Sequence, residues 1–111
     1  MTISCHVLDT TLGAPAQGIA VELHQLSADA TWEAVGAGST DGDGRASDLL
    51  GGRTLAEGQY RITFETLSYF AGKATAAFYP KVEVTFLTRA GEHYHIPLLL
   101  SPFGYSTYRG S

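Results

Sequence analysis

A two-residue alternation of apolar and polar side chains, interrupted at short intervals by turn-forming residues, limits what this chain can fold into. Ile19, Val21 and Leu23 alternate with Ala20, Glu22 and His24. Tyr60, Ile62 and Phe64 alternate with Arg61, Thr63 and Glu65, and Val82, Val84 and Phe86 alternate with Lys81, Glu83 and Thr85. Successive side chains of an extended strand point to opposite faces, so each run reads as a strand with one buried and one wet face. The runs at Ile19–Leu26, Gln59–Thr66 and Lys81–Thr88 are joined by Ile3–Asp9, in which Ser4, His6 and Leu8 share one face and Cys5, Val7 and Asp9 the other. Trp32–Gly38 is a weaker strand, and the C-terminal stretch reads as a hairpin folded at Ser101-Pro102-Phe103-Gly104. Turns are expected at Thr10–Gly18, Ser39–Gly44 and Arg89–Glu92, and a short helix at Leu67–Lys73. Strands about ten residues apart, with no strand–helix–strand rhythm, predict an antiparallel sandwich or barrel. Pro97 should leave an irregularity in its strand, because proline has no N–H to give to a ladder.

The chain has 111 residues, enough for one domain spanning 1–111, and is 44% hydrophobic, enough for one core. Its net charge is −4 and its seven basic residues form no run, which argues against nucleic-acid or anionic-membrane partners. A single cysteine, Cys5, permits no internal disulfide and fits a reducing compartment. No secretory leader, no terminal Ser-Lys-Leu and no apolar run near the roughly 20 residues of a membrane helix is evident, so a cytoplasmic location is expected.

Asp41-Gly42-Asp43-Gly44 begins like a calcium loop, but Arg45, Ala46 and Gly52 stand where ligands and an obligatory glycine are needed, so a tight turn is expected. Cys5 and His6 are adjacent on a strand and point to opposite faces, which rules out a thiolate–imidazole pair and makes Cys5 a core residue. His93 and His95 share a face, and with His6 they could be imagined as a three-histidine zinc site. His24 and His93 are read as bystanders, the first on a solvated face and the second at a rim.

Two long motifs carry a resemblance. His6-Val7-Leu8-Asp9 with Gly13, Pro15-Ala16, Ile19 and Val21 matches the N-terminal signature of the transthyretin-like family. The stretch from Tyr94-His95-Ile96-Pro97 through Leu98-Leu99-Leu100-Ser101-Pro102-Phe103-Gly104 to Tyr105-Ser106-Thr107 matches its C-terminal signature, with Thr40–Arg45 and Phe78-Tyr79-Pro80 in order between them. The sequence resembles the enzyme branch of that family, which ends in Tyr-Arg-Gly-Ser as Tyr108-Arg109-Gly110-Ser111 does, and which places histidine, arginine and histidine where His6, Arg45 and His95 stand.

The resemblance implies an all-β, prealbumin-like (transthyretin-type) antiparallel β-sandwich of two four-stranded sheets with one short helix. It also implies a homotetramer, a dimer of dimers with its site at the dimer–dimer interface. The implied reaction is hydrolysis of 5-hydroxyisourate, a cyclic amide on the route from urate to allantoin, with no metal and no cofactor. Histidine suits both proton transfers of such a reaction near neutral pH. His6 and His95 are expected to share them, with Arg45 orienting the substrate and stabilising negative charge, and with Tyr108, Arg109, Gly110 and Ser111 completing the pocket. The rival readings are a non-catalytic carrier of a small aromatic ligand and a zinc hydrolase using His6, His93 and His95.

Overall fold

The alternating runs become two sheets packed face to face in a computed structural model that describes residues 1–111. In chain order the elements are β1 (Thr2–Asp9), β2 (Ala14–Pro15), β3 (Ala20–Leu26), β4 (Trp32–Ser39), β5 (Arg45–Ala46), β6 (Gln59–Phe64), α1 (Thr66–Gly72), β7 (Val82–Leu87), β8 (His93–Ser101) and β9 (Gly104–Thr107). One sheet runs β4-β3-β6-β7 and is antiparallel throughout. The other runs β2-β1-β8-β9, with β5 also paired to β1. The sandwich with one short helix is therefore as expected, except that the short β5 makes the second sheet five-stranded where four strands were expected.

The second sheet departs from the expected antiparallel pattern in one place. β1 and β8 pair parallel over their length, from Thr2 opposite His93 to Asp9 opposite Leu100. Parallel neighbours need a long crossover rather than a hairpin. Here the whole of the other sheet intervenes between the two strands, so nothing local in the sequence signals the pairing.

The core forms where the inward faces meet. Ile3, Cys5 and Val7 of β1, Val21 and Leu23 of β3, Tyr60, Ile62 and Phe64 of β6, and Ile96, Leu98 and Leu100 of β8 are all buried. Each fully buried side chain of this size contributes about 1.5–3 kcal/mol relative to exposure. The free Cys5 thiol belongs to this core, and burial pushes its pKa up to about 12 against an opposing backbone hydrogen bond from Ala46. The seven-residue α1 is too short to be stable alone. It is held by buried Phe70, by the Leu67 N–H donating to Pro80 O, and by the Tyr69 hydroxyl donating to the Asp9 carboxylate at 2.8 Å. No helix is long and apolar enough to cross a membrane.

Pro97 produces the expected irregularity. β9 pairs with β8 from Ser101/Gly104 to Leu98/Thr107 and stops there. The next pair in that register would set Tyr108 against Pro97, whose nitrogen has no hydrogen to donate. The Thr107 hydroxyl instead caps Pro97 O at 2.7 Å. Pairing resumes two residues further on as a single bridge between His95 and Gly110.

Candidate functional site

The parallel β1/β8 ladder sets Ser4 opposite His95 and His6 opposite Pro97. Ser4, His6 and His95 consequently share the outward face of that sheet. The His6 and His95 rings lie 6.3 Å apart between centroids and are tilted by 33°. On the opposite edge of β1, β5 pairs His6 with Arg45. Two imidazoles and a guanidinium, from three strands, therefore converge on one surface.

Arg45 is placed there by the Asp41–Gly44 turn. The Asp41 carboxylate accepts from the Asp43 N–H at 2.9 Å and from the Arg45 N–H at 3.0 Å, while the Asp41 and Gly44 backbones close the loop. These donors, from Arg45 first, hold the Asp41 carboxyl below the usual carboxylate range. Gly44 sits at φ +76°, and a Cβ there would meet Val7 O at 2.4 Å, so this close approach to β1 requires glycine. The Gly44 carbonyl accepts from the Val7 N–H at 2.8 Å, which joins the turn to the His6 strand. The turn expected at this motif is thus a device that presents Arg45.

The Ser4 hydroxyl lies 2.9 Å from His95 Nδ1. Burial, then Arg45, His6 and His93, hold the His95 pKa below the ordinary histidine value, which favours the neutral ring. The C-terminal tail crosses the same histidine. The Gly110 N–H donates to His95 O at 2.9 Å, and a Cβ on Gly110 would stand 2.7 Å from His95 Cδ2. Tyr108 and Ser111 flank this crossing and are exposed.

Arg109 goes elsewhere. Its guanidinium lies over the Tyr94 ring at 4.8 Å and donates to the Glu92 carboxylate at 3.3 Å. Glu92 also accepts from the Tyr94 hydroxyl at 2.7 Å, and that bond first, with Arg109, keeps its carboxyl below the usual range. In this chain Arg109 ties down the tail through Tyr94 and Glu92, and it borders the same cavity as His95. His93 is exposed, with Nδ1 turned to the Thr2 hydroxyl, and no three His, Cys, Asp or Glu side chains are grouped to hold a metal ion. The imagined zinc triad of His6, His93 and His95 therefore does not assemble. His24 is half-buried with Nε2 3.2 Å from the Glu22 carboxylate, so it is not the freely solvated side chain expected.

Ser4, Glu92 and Tyr94 escaped the sequence reading. Ser4 lies two residues before His6 on the same face, which was a signal. Its partner is 91 positions away, and only the parallel pairing brings the two together.

Three surface cavities are present, and neither His6 nor Arg45 lines any of them. The most apolar one, about 260 Å³, opens between the free edges of β7 and β9 and is lined by Val84, Phe86, Tyr94, His95, Ile96 and Tyr108 among others.

Comparison with known proteins gives a consistent result. The model of the HIUase/Transthyretin family matches residues 3–110. A 5-hydroxyisourate hydrolase of Salmonella typhimurium is 46% identical over 110 residues, covering 98% of this chain and 80% of that protein. The structure of Klebsiella pneumoniae 5-hydroxyisourate hydrolase superposes with a TM-score of 0.87 at 33% identity, over all of both chains. Sea bream transthyretin in complex with thyroxine superposes with a TM-score of 0.93 at 31% identity, covering 99% of this chain and 95% of that one. The backbone resembles a 5-hydroxyisourate hydrolase and a thyroxine-bound transthyretin alike, so the backbone alone does not distinguish them.

Proposed function

The chain belongs to the HIUase/transthyretin family, and from that premise and its outward-facing His6–Arg45–His95 cluster we propose that it is a 5-hydroxyisourate hydrolase. The observation that carries this reading is the convergence of two imidazoles and a guanidinium on one sheet face, with the tail seated on one of the imidazoles. The reaction adds water to the carbonyl carbon of the cyclic amide, breaks the C–N bond, gives a proton to the departing nitrogen and releases a carboxylate. The product is 2-oxo-4-hydroxy-4-carboxy-5-ureidoimidazoline. The imidazoles of His6 and His95 supply the proton transfer and hydrogen bonding the reaction needs, and a neutral imidazole near pH 7 is the form that can accept a proton from water. Arg45 is permanently charged and presents a planar donor fork, suited to the urate-like anion and to the oxyanion formed at the carbonyl. Gly110 lets the tail close against His95, and Tyr108 and Ser111 extend the wall beside it.

A homotetramer supports the same chemistry. His6 and Arg45 lie on an open face in the single chain, so enclosing a substrate there calls for another subunit. The unpaired edges of β7 and β9 flank one apolar groove, which suits edge-to-edge pairing of two copies. The buried, unpaired Cys5 supports a reducing, cytoplasmic setting.

The likeness to a thyroxine-bound carrier favours a second reading, binding without catalysis. Against it, a carrier of an apolar hormone has no use for two imidazoles and a guanidinium on the binding face. An ultraviolet time course with freshly generated 5-hydroxyisourate decides between them. Turnover by the wild type should fall by about 10²-fold or more in His6→Ala, Arg45→Ala and His95→Ala variants that remain oligomeric. Decay at the uncatalysed rate with wild-type protein would leave the carrier reading standing.

A further inference from the structure

We infer that Ser4 is a positioning residue, whose hydroxyl donates to Nδ1 of His95 and thereby holds the ring proton on Nε2, making His95 the neutral hydrogen-bond donor of the site and His6 its base. This deepens the hydrolase reading and rests on it. Ser4 is buried at 8% exposure, and the one hydrogen bond its side chain makes is that to His95 Nδ1 at 2.9 Å. A hydroxyl carries one hydrogen to give and lone pairs to accept with. If Nδ1 carried the proton and Ser4 accepted it, the buried Ser4 hydrogen would have no acceptor in the chain, an arrangement folded proteins avoid. Donation from Ser4 to an unprotonated Nδ1 satisfies both groups, and the neutral ring then carries its hydrogen on Nε2.

The surroundings agree. The charged or titratable groups around His95 are His6 on β1, Arg45 beside β1 and His93 on its own strand, and none of them is an anion that would favour a second ring proton. On the carbonyl side of His95 the tail fixes the backbone through Gly110, so the imidazole is held from both ends.

The roles then separate. His6 takes a proton from water as the oxygen bonds to the carbonyl carbon. The oxyanion is met by Nε2–H of His95 and by Arg45, with no proton leaving His95. As the C–N bond breaks, His6 returns its proton to the departing nitrogen, and the new carboxyl group loses its own proton to solvent.

The neighbouring pair supplies a control. Thr2 meets His93 two residues along the ladder, but Thr2 is exposed and can turn its hydroxyl to water. The test uses full-length protein labelled with ¹⁵N-histidine, examined by long-range ¹H–¹⁵N NMR above pH 7, with His95→Gln for assignment. Wild-type His95 should be the Nε2–H tautomer. Ser4→Ala should lose that preference and lower kcat about tenfold with KM within about twofold, as outer partners of functional histidines do. Ser4→Thr should restore both, and Thr2→Ala should change neither. A wild-type His95 protonated at Nδ1 would overturn the assignment, as would a Ser4→Ala variant with unaltered tautomer and kcat. An altered tautomer with unaltered kcat would overturn the role given to Ser4 in catalysis. Absence of hydrolysis by the wild type would remove the hydrolase reading, while the spectra would still decide where the His95 proton sits.

Discussion

Replacing Gly110 with alanine should silence the enzyme while leaving the fold almost untouched. The new Cβ would stand 2.7 Å from His95 Cδ2, 3.1 Å from Pro97 Cγ and 3.2 Å from His95 O. Carbon atoms settle at about 3.5–4.0 Å, so relieving the first contact alone requires a movement of roughly 0.8 Å or more. Either the tail lifts away, breaking the bond from the Gly110 N–H to His95 O, or the His95 ring is pushed off its place against Ser4. A misplacement of about 1 Å at a reacting group costs on the order of 10²-fold, equivalent to about 2.7 kcal/mol of transition-state stabilisation. The stability term is smaller. One backbone hydrogen bond is worth about 0.5–1.5 kcal/mol net, so the melting temperature should fall by about 2–6 °C. The assay is the decay of 5-hydroxyisourate generated in place by a urate oxidase, read in the ultraviolet, beside calorimetry and light scattering on the same sample. A variant with kcat/KM within about twofold of wild type would refute the placement of the tail in the site. A large loss of melting temperature would refute the claim that the tail is energetically separable from the core.

Turnover should be unchanged by EDTA, since the imidazoles act here without a metal; inhibition by EDTA that added zinc reverses would contradict this. The depressed His95 pKa makes a signed prediction. A group that binds protons more weakly folded than unfolded costs stability as pH falls, so its contribution is present above about pH 6.5 and is lost below it. NMR titration should place His95 below the ordinary histidine value, and Arg45→Ala should move it upward; an unmoved titration would remove Arg45 from its environment. Cys5, buried and with its thiol pushed up to about 12, should resist an aromatic disulfide reagent at pH 8 until the chain is unfolded. Reaction in the folded protein at the unfolded rate would contradict its place in the core.

How legible all this was in the sequence differs from residue to residue. Alternation is a local property, so the strands could be read, along with the faces they bury: Val21, Leu23, Tyr60, Ile62 and Phe64 are inside, as their periodicity requires. The turn at Asp41–Gly44, the helix around Phe70 and the interruption at Pro97 were also legible, because each follows from what one or two residues allow their own backbone to do. His6, Arg45 and His95 could be nominated from family motifs, but nothing in their neighbourhoods says that they meet. Which strand lies beside which depends on contacts between segments far apart in the chain, and a period-two pattern is indifferent to whether a neighbour runs parallel or antiparallel. Tertiary structure alone decided that β1 and β8 run the same way, and with that it joined Ser4 to His95. It also decided that Arg109 engages Glu92 and Tyr94, a contact that no local pattern in the sequence signals.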